Sequence, residues 1–217
     1  MIPRIIHQYW NSGTLPDEYL EYSFCWVKLH PDWDWKFYDD RPIQMGYLIL
    51  QNRDLFDQAH KISPKAVAQF KSDVLRYELL YQFGGVWVDV DIKPQKPIDE
   101  LCRIAELSSD SCWACWEEPD RWVSNAILAS SKGNPLMGKL IEDLPGNVAK
   151  YGPMVGNTVK SGPQFITPYA LDYENFTAYP REYFFPYLWN ELHRENEAFP
   201  NAFGIHRWNN RRSRHER

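Results

Sequence analysis

The run Gly84-Gly85-Val86-Trp87-Val88-Asp89-Val90-Asp91 constrains this chain more than any other segment. Side chains alternate faces along a strand. Val86, Val88 and Val90 therefore point one way, and Trp87, Asp89 and Asp91 the other. Two carboxylates two residues apart on one face repel each other. Burying both near a strand end is costly unless a cation sits between them. Carboxylate oxygens suit a hard divalent ion such as Mn²⁺ or Mg²⁺. The strand is expected over residues 86–92.

A helix precedes it. Ser63 is read as its cap, Pro64 as its first helical residue and Phe83 as its end, with Gly84-Gly85 turning the chain. At about 100° per residue, Ala66, Phe70, Val74, Tyr77 and Tyr81 share one arc that must face a core. Gln69, Asp73 and Arg76 lie together on the flank of that arc. Asp73 and Arg76, three residues apart, can pair. The flank is then either an ordinary surface ion pair or the place where a ligand meets the helix.

The other segments alternate in type. Arg4–Trp10 reads as a strand, Pro16–Leu29 as a helix and Trp33–Tyr38 as a half-buried strand. Ile43–His60 holds one or two short helices. Strands follow at Trp113–Glu117 and Ala126–Ser130, and helices at Pro135–Asp143 and Pro163–Leu171. Tyr179–Pro186 reads as extended, and Gly204–Trp208 closes the fold. Helices alternating with strands indicate an α/β sandwich with a mostly parallel central sheet. A length of 217 residues fits one domain over 1–217, with a basic C-terminal tail at about 209–217.

Composition narrows the chemistry. The net charge of −5 argues against nucleic acid as a partner. Ten Trp, thirteen Tyr and eleven Phe supply rings for the core and for stacking on ligands. Cys112 and Cys115 lack the second ligand pair of a zinc site, and all four cysteines read as reduced thiols. No signal peptide and no apolar run of spanning length is seen. The expectation is a cytoplasmic protein without a transmembrane segment, peripheral to a membrane at most through its basic C-terminus. No P-loop sequence is present, so phosphate binding falls to a metal and basic side chains. A metal on Asp89 and Asp91 suits the diphosphate of a nucleotide-sugar, whose departure leaves negative charge. Two alternatives are a non-catalytic carbohydrate-binding protein, which gives Asp89 and Asp91 no task, and a nucleotidyltransferase, which wants a basic, glycine-rich loop that residues 5–14 do not supply.

Four segments resemble the family 32 glycosyltransferases, which include Och1-like mannosyltransferases and DXD-containing sugar-binding proteins; the glucosyltransferase domains of clostridial toxins are more distant relatives. They are Ile2–Trp10; Ser72-Asp73 to Asp91; Asn125–Ala129 with Gly133-Asn134-Pro135; and Ser161-Gly162-Pro163 with His206-Arg207-Trp208. The resemblance implies a GT-A fold, a three-layer α/β/α sandwich. It also implies a retaining hexosyltransferase that uses a UDP- or GDP-sugar and a glycan or polysaccharide acceptor. Carried over by position, Asp89, Asp91 and Arg76 are catalytic. Trp10 lies by the base, and Asp73 and Arg76 lie by the sugar or ribose. Asp89 meets ribose or a metal-bound water. Asp91 ligates the metal, with Asp89 and His206 as further ligands. Trp87 and Gly162 belong to the donor pocket, and Trp208 covers the pyrophosphate. Relatives often carry Tyr in place of Trp87 and a Ser-Trp pair near the end. Here Asn209-Asn210-Arg211-Arg212 follows Trp208, and Arg211 or Arg212 is a candidate replacement contact.

Overall fold

The computed structural model describes residues 1–11, 14–105, 108–118 and 121–208. The first strand, β1 (Ile5–Tyr9), leads to helix α1 (Asp17–Leu29) and strand β2 (Asp34–Tyr38). Three short helices follow: α2 (Asp40–Gln44), α3 (Arg53–Asp57) and α4 (Ala59–Ile62). The long helix α5 (Val67–Phe83) runs into β3 (Gly85–Val88). Then come β4 (Ile92–Pro94), α6 (Asp99–Ala105), β5 (Cys112–Glu118), β6 (Trp122–Ser130) and α7 (Pro135–Val148). The chain closes with α8 (Asn157–Lys160), α9 (Pro163–Asp172), β7 (Phe176–Tyr179) and β8 (Gly204–His206).

Six strands form one sheet in the order β2-β1-β3-β6-β5-β7, and β4 and β8 form a separate antiparallel pair. Only β6 runs against the other five, so the sheet is mostly parallel. Both faces are covered. Trp87, Ala114 and Leu128 pack under α5, α7 and α9 on one face. Val86, Val88, Trp113 and Ile127 pack with Trp26 of α1, Leu101 of α6 and the C-terminal segment on the other. This is the expected three-layer sandwich.

Two local expectations are corrected. Ser63 does not cap α5. It ends α4 and donates its hydroxyl to Asn157 Oδ1 at 2.6 Å, while α5 starts at Val67 with no side-chain cap. The strand through the Asp-Val-Asp run stops at Val88, because Ile92 N turns back to Asp89 O at 3.0 Å. Val90 consequently leaves the face of Val86 and Val88 and lines a cleft. Ala66, expected on the core arc, lines the same cleft at the mouth of α5.

The turn that aims β3 needs its glycines. Gly85 has φ +101, and a Cβ there would sit 2.6 Å from Ile5 O; no other residue fits without moving β1. His7 of β1 pins this turn. A carbonyl can only accept, so His7 Nε2–H donates to Gly84 O at 2.8 Å, and Nδ1 accepts from Tyr38 OH at 3.1 Å. Both nitrogens are satisfied in the neutral ring. Burial pushes the His7 pKa down to about 4, against the pull of the Gly84 carbonyl. A base whose folded pKa lies below its unfolded value binds fewer protons when folded. Its stabilising contribution is complete above the unfolded pKa of 6.5 and is lost as pH falls toward 4. We expect this one residue to cost about 2 kcal/mol at pH 5 relative to neutral pH. The stability gap between wild type and His7→Gln, measured by urea unfolding, should narrow by that amount between pH 7.5 and 5; an unchanged gap removes His7 as the cause.

Candidate active site

Parallel strands place their C-terminal ends on one edge, and ligands bind in the crevice there. At this edge lies a cleft of about 360 Å³. Trp10 and Asn11 follow β1, Tyr19 comes from α1, residues 65–69 with Ser72 and Arg76 from the start of α5, and Asp89, Val90 and Asp91 from the turn after β3. One end is aromatic: Trp10 meets Tyr19 edge-on at 5.7 Å. The other end is ionic.

The ionic end is built from three elements. Asp89 Oδ1 accepts from Trp87 Nε1 at 2.7 Å and from Arg76 Nη2 at 3.2 Å. Asp91 Oδ1 lies 3.5 Å from His206 Nε2. The β4–β8 pair brings His206 there, with Ile92 opposite His206 in register. Ligand atoms of Asp89, Asp91 and His206 lie within 4.8 Å of one another. Two carboxylates and an imidazole at that spacing fit one divalent ion. Burial raises the Asp89 pKa, opposed by Arg76, and the neighbouring charge of Asp91 raises it further. A bound cation would relieve both upward pressures.

Arg76 is 2% exposed yet still lines the cleft. Its guanidinium sits over the Trp87 ring at 5.1 Å. It donates to Ser72 Oγ at 2.9 Å and to the Asn125 carbonyl, and it pairs with Asp73 at 3.2 Å. Asp73 is equally buried. It accepts from Ser161 Oγ at 2.7 Å and Asn125 Nδ2 at 3.0 Å. Burial raises its pKa to about 6, against the pull of Arg76 and Ser161. The flank of α5 is thus a buried ion-pair network opening on the cleft rather than a surface pair.

Trp10, Arg76, Asp89 and Asp91 line the cleft, and His206 joins the two carboxylates. Asp73 stands directly behind Arg76. Three expected donor contacts sit elsewhere. Trp87 is 1% exposed in the core and reaches the cleft only through Asp89 and Arg76. Gly162 is buried at the corner between α8 and α9, where a Cβ would meet Thr158 Cα at 3.1 Å. Trp208 packs its ring on His206 at 4.3 Å and donates Nε1–H to Tyr187 O, outside the lining of the cleft. Arg211 and Arg212 lie outside the described residues. The sequence reading missed Ser161 and Asn125 as the groups that hold Asp73. Both lie in segments that carried the family resemblance, but contacts 88 and 52 positions away leave no periodic signal. Tyr19, Lys65 and Ser72 were also missed as cleft residues.

Residues 16–108 match the model of a family described as the glycosyltransferase sugar-binding region containing a DXD motif. The matched stretch holds Asp73, Arg76 and the Asp89-Val90-Asp91 turn. In this stretch the chain resembles that DXD-containing family. Among similar curated proteins is inositol phosphoceramide mannosyltransferase 3 of Schizosaccharomyces pombe. It is 26% identical over 167 residues, covering 76% of this chain and 44% of the relative. The chain spans less than half the length of each of the first curated mannosyltransferases it matches. Among solved structures, the ligand-free glycosyltransferase domain of the YGT toxin aligns with TM-score 0.56 at 12% identity, over 82% of this chain and 79% of that one. The galactosyltransferase LgtC aligns with TM-score 0.51 at 11% identity, over 93% and 86%. These likenesses establish a GT-A-like fold for this DXD protein. Among its described residues, no helix is long and apolar enough to cross a membrane.

Proposed function

We propose that the chain is a metal-dependent, retaining hexosyltransferase that takes its sugar from a UDP- or GDP-sugar and passes it to a hydroxyl of a glycan or other acceptor. One observation carries the reading: the Asp89–Asp91–His206 group closes the ionic end of a cleft whose far end is the Trp10–Tyr19 pair. A nucleoside diphosphate has the same polarity, an aromatic base at one end and anionic phosphates at the other. The relatives' names, as mannosyltransferases, make mannose the first hexose to test.

Asp91, Asp89 and His206 would hold Mn²⁺ or Mg²⁺. The ion supplies charge neutralisation for the departing diphosphate. Arg76 adds a fixed positive charge at the same end, kept in place by Asp73, Ser72 and Asn125. Trp87 orients Asp89 from below through its indole N–H. Among the residues lining the cleft, the carboxylates are Asp89 and Asp91. With both given to the metal group, no carboxylate among the described cleft residues is left to form a covalent sugar intermediate. This supports same-face substitution, in which the acceptor hydroxyl attacks from the side the diphosphate leaves and its proton passes to a leaving-group phosphate oxygen.

Release of nucleoside diphosphate from UDP- and GDP-hexoses, with Mn²⁺ and with chelator, tests the transfer; no release from any donor under either condition rejects it. The aromatic end has its own test. Stacking of a base on an aromatic ring is worth about 1–3 kcal/mol. Trp10→Ala should therefore weaken nucleoside diphosphate binding about tenfold or more in calorimetry while sparing metal binding. Unchanged affinity would move the base elsewhere.

A further inference from the structure

The chain carries a net charge of −5, yet two long stretches hold no acidic residue. Residues 58–72 contain Lys61, Lys65, Lys71 and His60, and residues 144–171 contain Lys150 and Lys160. The fold stitches these stretches together. Asn157 accepts from Ser63 Oγ and donates to Ala66 O at 3.1 Å. The buried Lys160 ammonium donates to Ile62 O at 2.7 Å and reaches Pro153 O at 3.5 Å. The loop 151–156 is thereby held beside residues 62–66, whose continuation, residues 65–69, lines the cleft.

This loop is apolar where it should be polar. In Tyr151-Gly152-Pro153-Met154-Val155-Gly156, Met154 is 63% exposed, with Val155 at 39% and Tyr151 at 38%. Exposed loops normally carry polar residues, and clustered apolar groups mark an interaction surface. Lys61, Lys65 and Lys150 are exposed around it. Asp143, the acidic group nearest Lys150 in sequence, is already bound by Lys139 and by Tyr169.

We propose that this rim docks on an anionic lipid surface, with Met154 and Val155 entering the apolar layer and Lys61, Lys65 and Lys150 meeting the headgroups. Apolar insertion combined with cationic attraction is the physics of interfacial binding. A soluble polyanion would be served by the lysines and would leave Met154 and Val155 without a role.

Co-sedimentation with vesicles, without donor or metal, tests the docking separately from transfer. Vesicles of phosphatidylcholine with about a third phosphatidylserine should pellet the full chain, and pure phosphatidylcholine should not. Met154→Glu with Val155→Glu should lower binding about tenfold or more. Lys61→Glu with Lys150→Glu should do the same and remove the salt dependence. Thermal melts matching wild type certify folding, since all four side chains are exposed. Absence of vesicle binding by wild type overturns the proposal. So does binding unaffected by the Met154/Val155 variant, which would leave a polyanion site only.

Discussion

Replacing Asp91 with alanine is expected to lower metal-dependent turnover about a thousandfold while leaving the fold intact. The turnover loss follows from position. Asp91 is one of two carboxylates that line the ionic end, and its Oδ1 lies 3.5 Å from His206 Nε2, the third group of the proposed metal site. Fold survival follows from what alanine keeps. The backbone carbonyl of residue 91 still accepts from Arg207 N, so the β4–β8 pair that carries His206 remains closed. Nucleoside diphosphate release and a thermal melt check the two halves. Wild-type turnover in Asp91→Ala would remove the residue from the metal site.

Replacing Asp73 with alanine should cost about 3–5 kcal/mol of stability, far more than a surface ion pair is worth. The reason lies in what remains. Arg76 is buried over Trp87, and without Asp73 its charge keeps only Asp89 and neutral acceptors. Ser161 Oγ loses its acceptor at the same time, and Asn125 Nδ2 loses its shortest bond, keeping those at 3.4 Å to Tyr77 OH and Ser161 O. Asp73→Asn keeps an acceptor oxygen and should cost less than Asp73→Ala. Both variants should weaken donor binding, because Arg76 loses one of the two carboxylates that hold it at the cleft wall. Urea unfolding of wild type and the two variants reads the order. A loss below about 1 kcal/mol in Asp73→Ala would mean the pair is solvated.

What the sequence disclosed and what it hid divide along a physical line. The alternation in Val86-Trp87-Val88 is local, and it placed the valines and the tryptophan on opposite faces of the sheet as expected. The alternation failed at Val90, because the strand ends where Asp89 and Asp91 must turn toward His206. The sandwich and its parallel sheet were legible from alternating elements. The reversed direction of β6 was not, since direction is set by pairing with β3 and β5. Ser63 and Pro64 formed a good helix-start signal, but Ser63 found a stronger partner in Asn157, 94 positions away. The family resemblance, carried over by position, put Trp87 and Trp208 in the donor pocket. Burial instead makes them supports, one beneath Asp89 and the other behind His206. Residue types suggested the chemistry proposed for the site, and only the fold shows which members touch the cleft.

The most direct measurement is Mn²⁺ binding followed by the loss of the free-ion paramagnetic resonance signal, with and without UDP or GDP. One ion per chain, bound more tightly when nucleoside diphosphate is present and lost in Asp91→Ala, is the result expected of a diphosphate completing the shell around Asp89, Asp91 and His206. Equal Mn²⁺ affinity in wild type and Asp91→Ala, or affinity indifferent to nucleoside diphosphate, would contradict it.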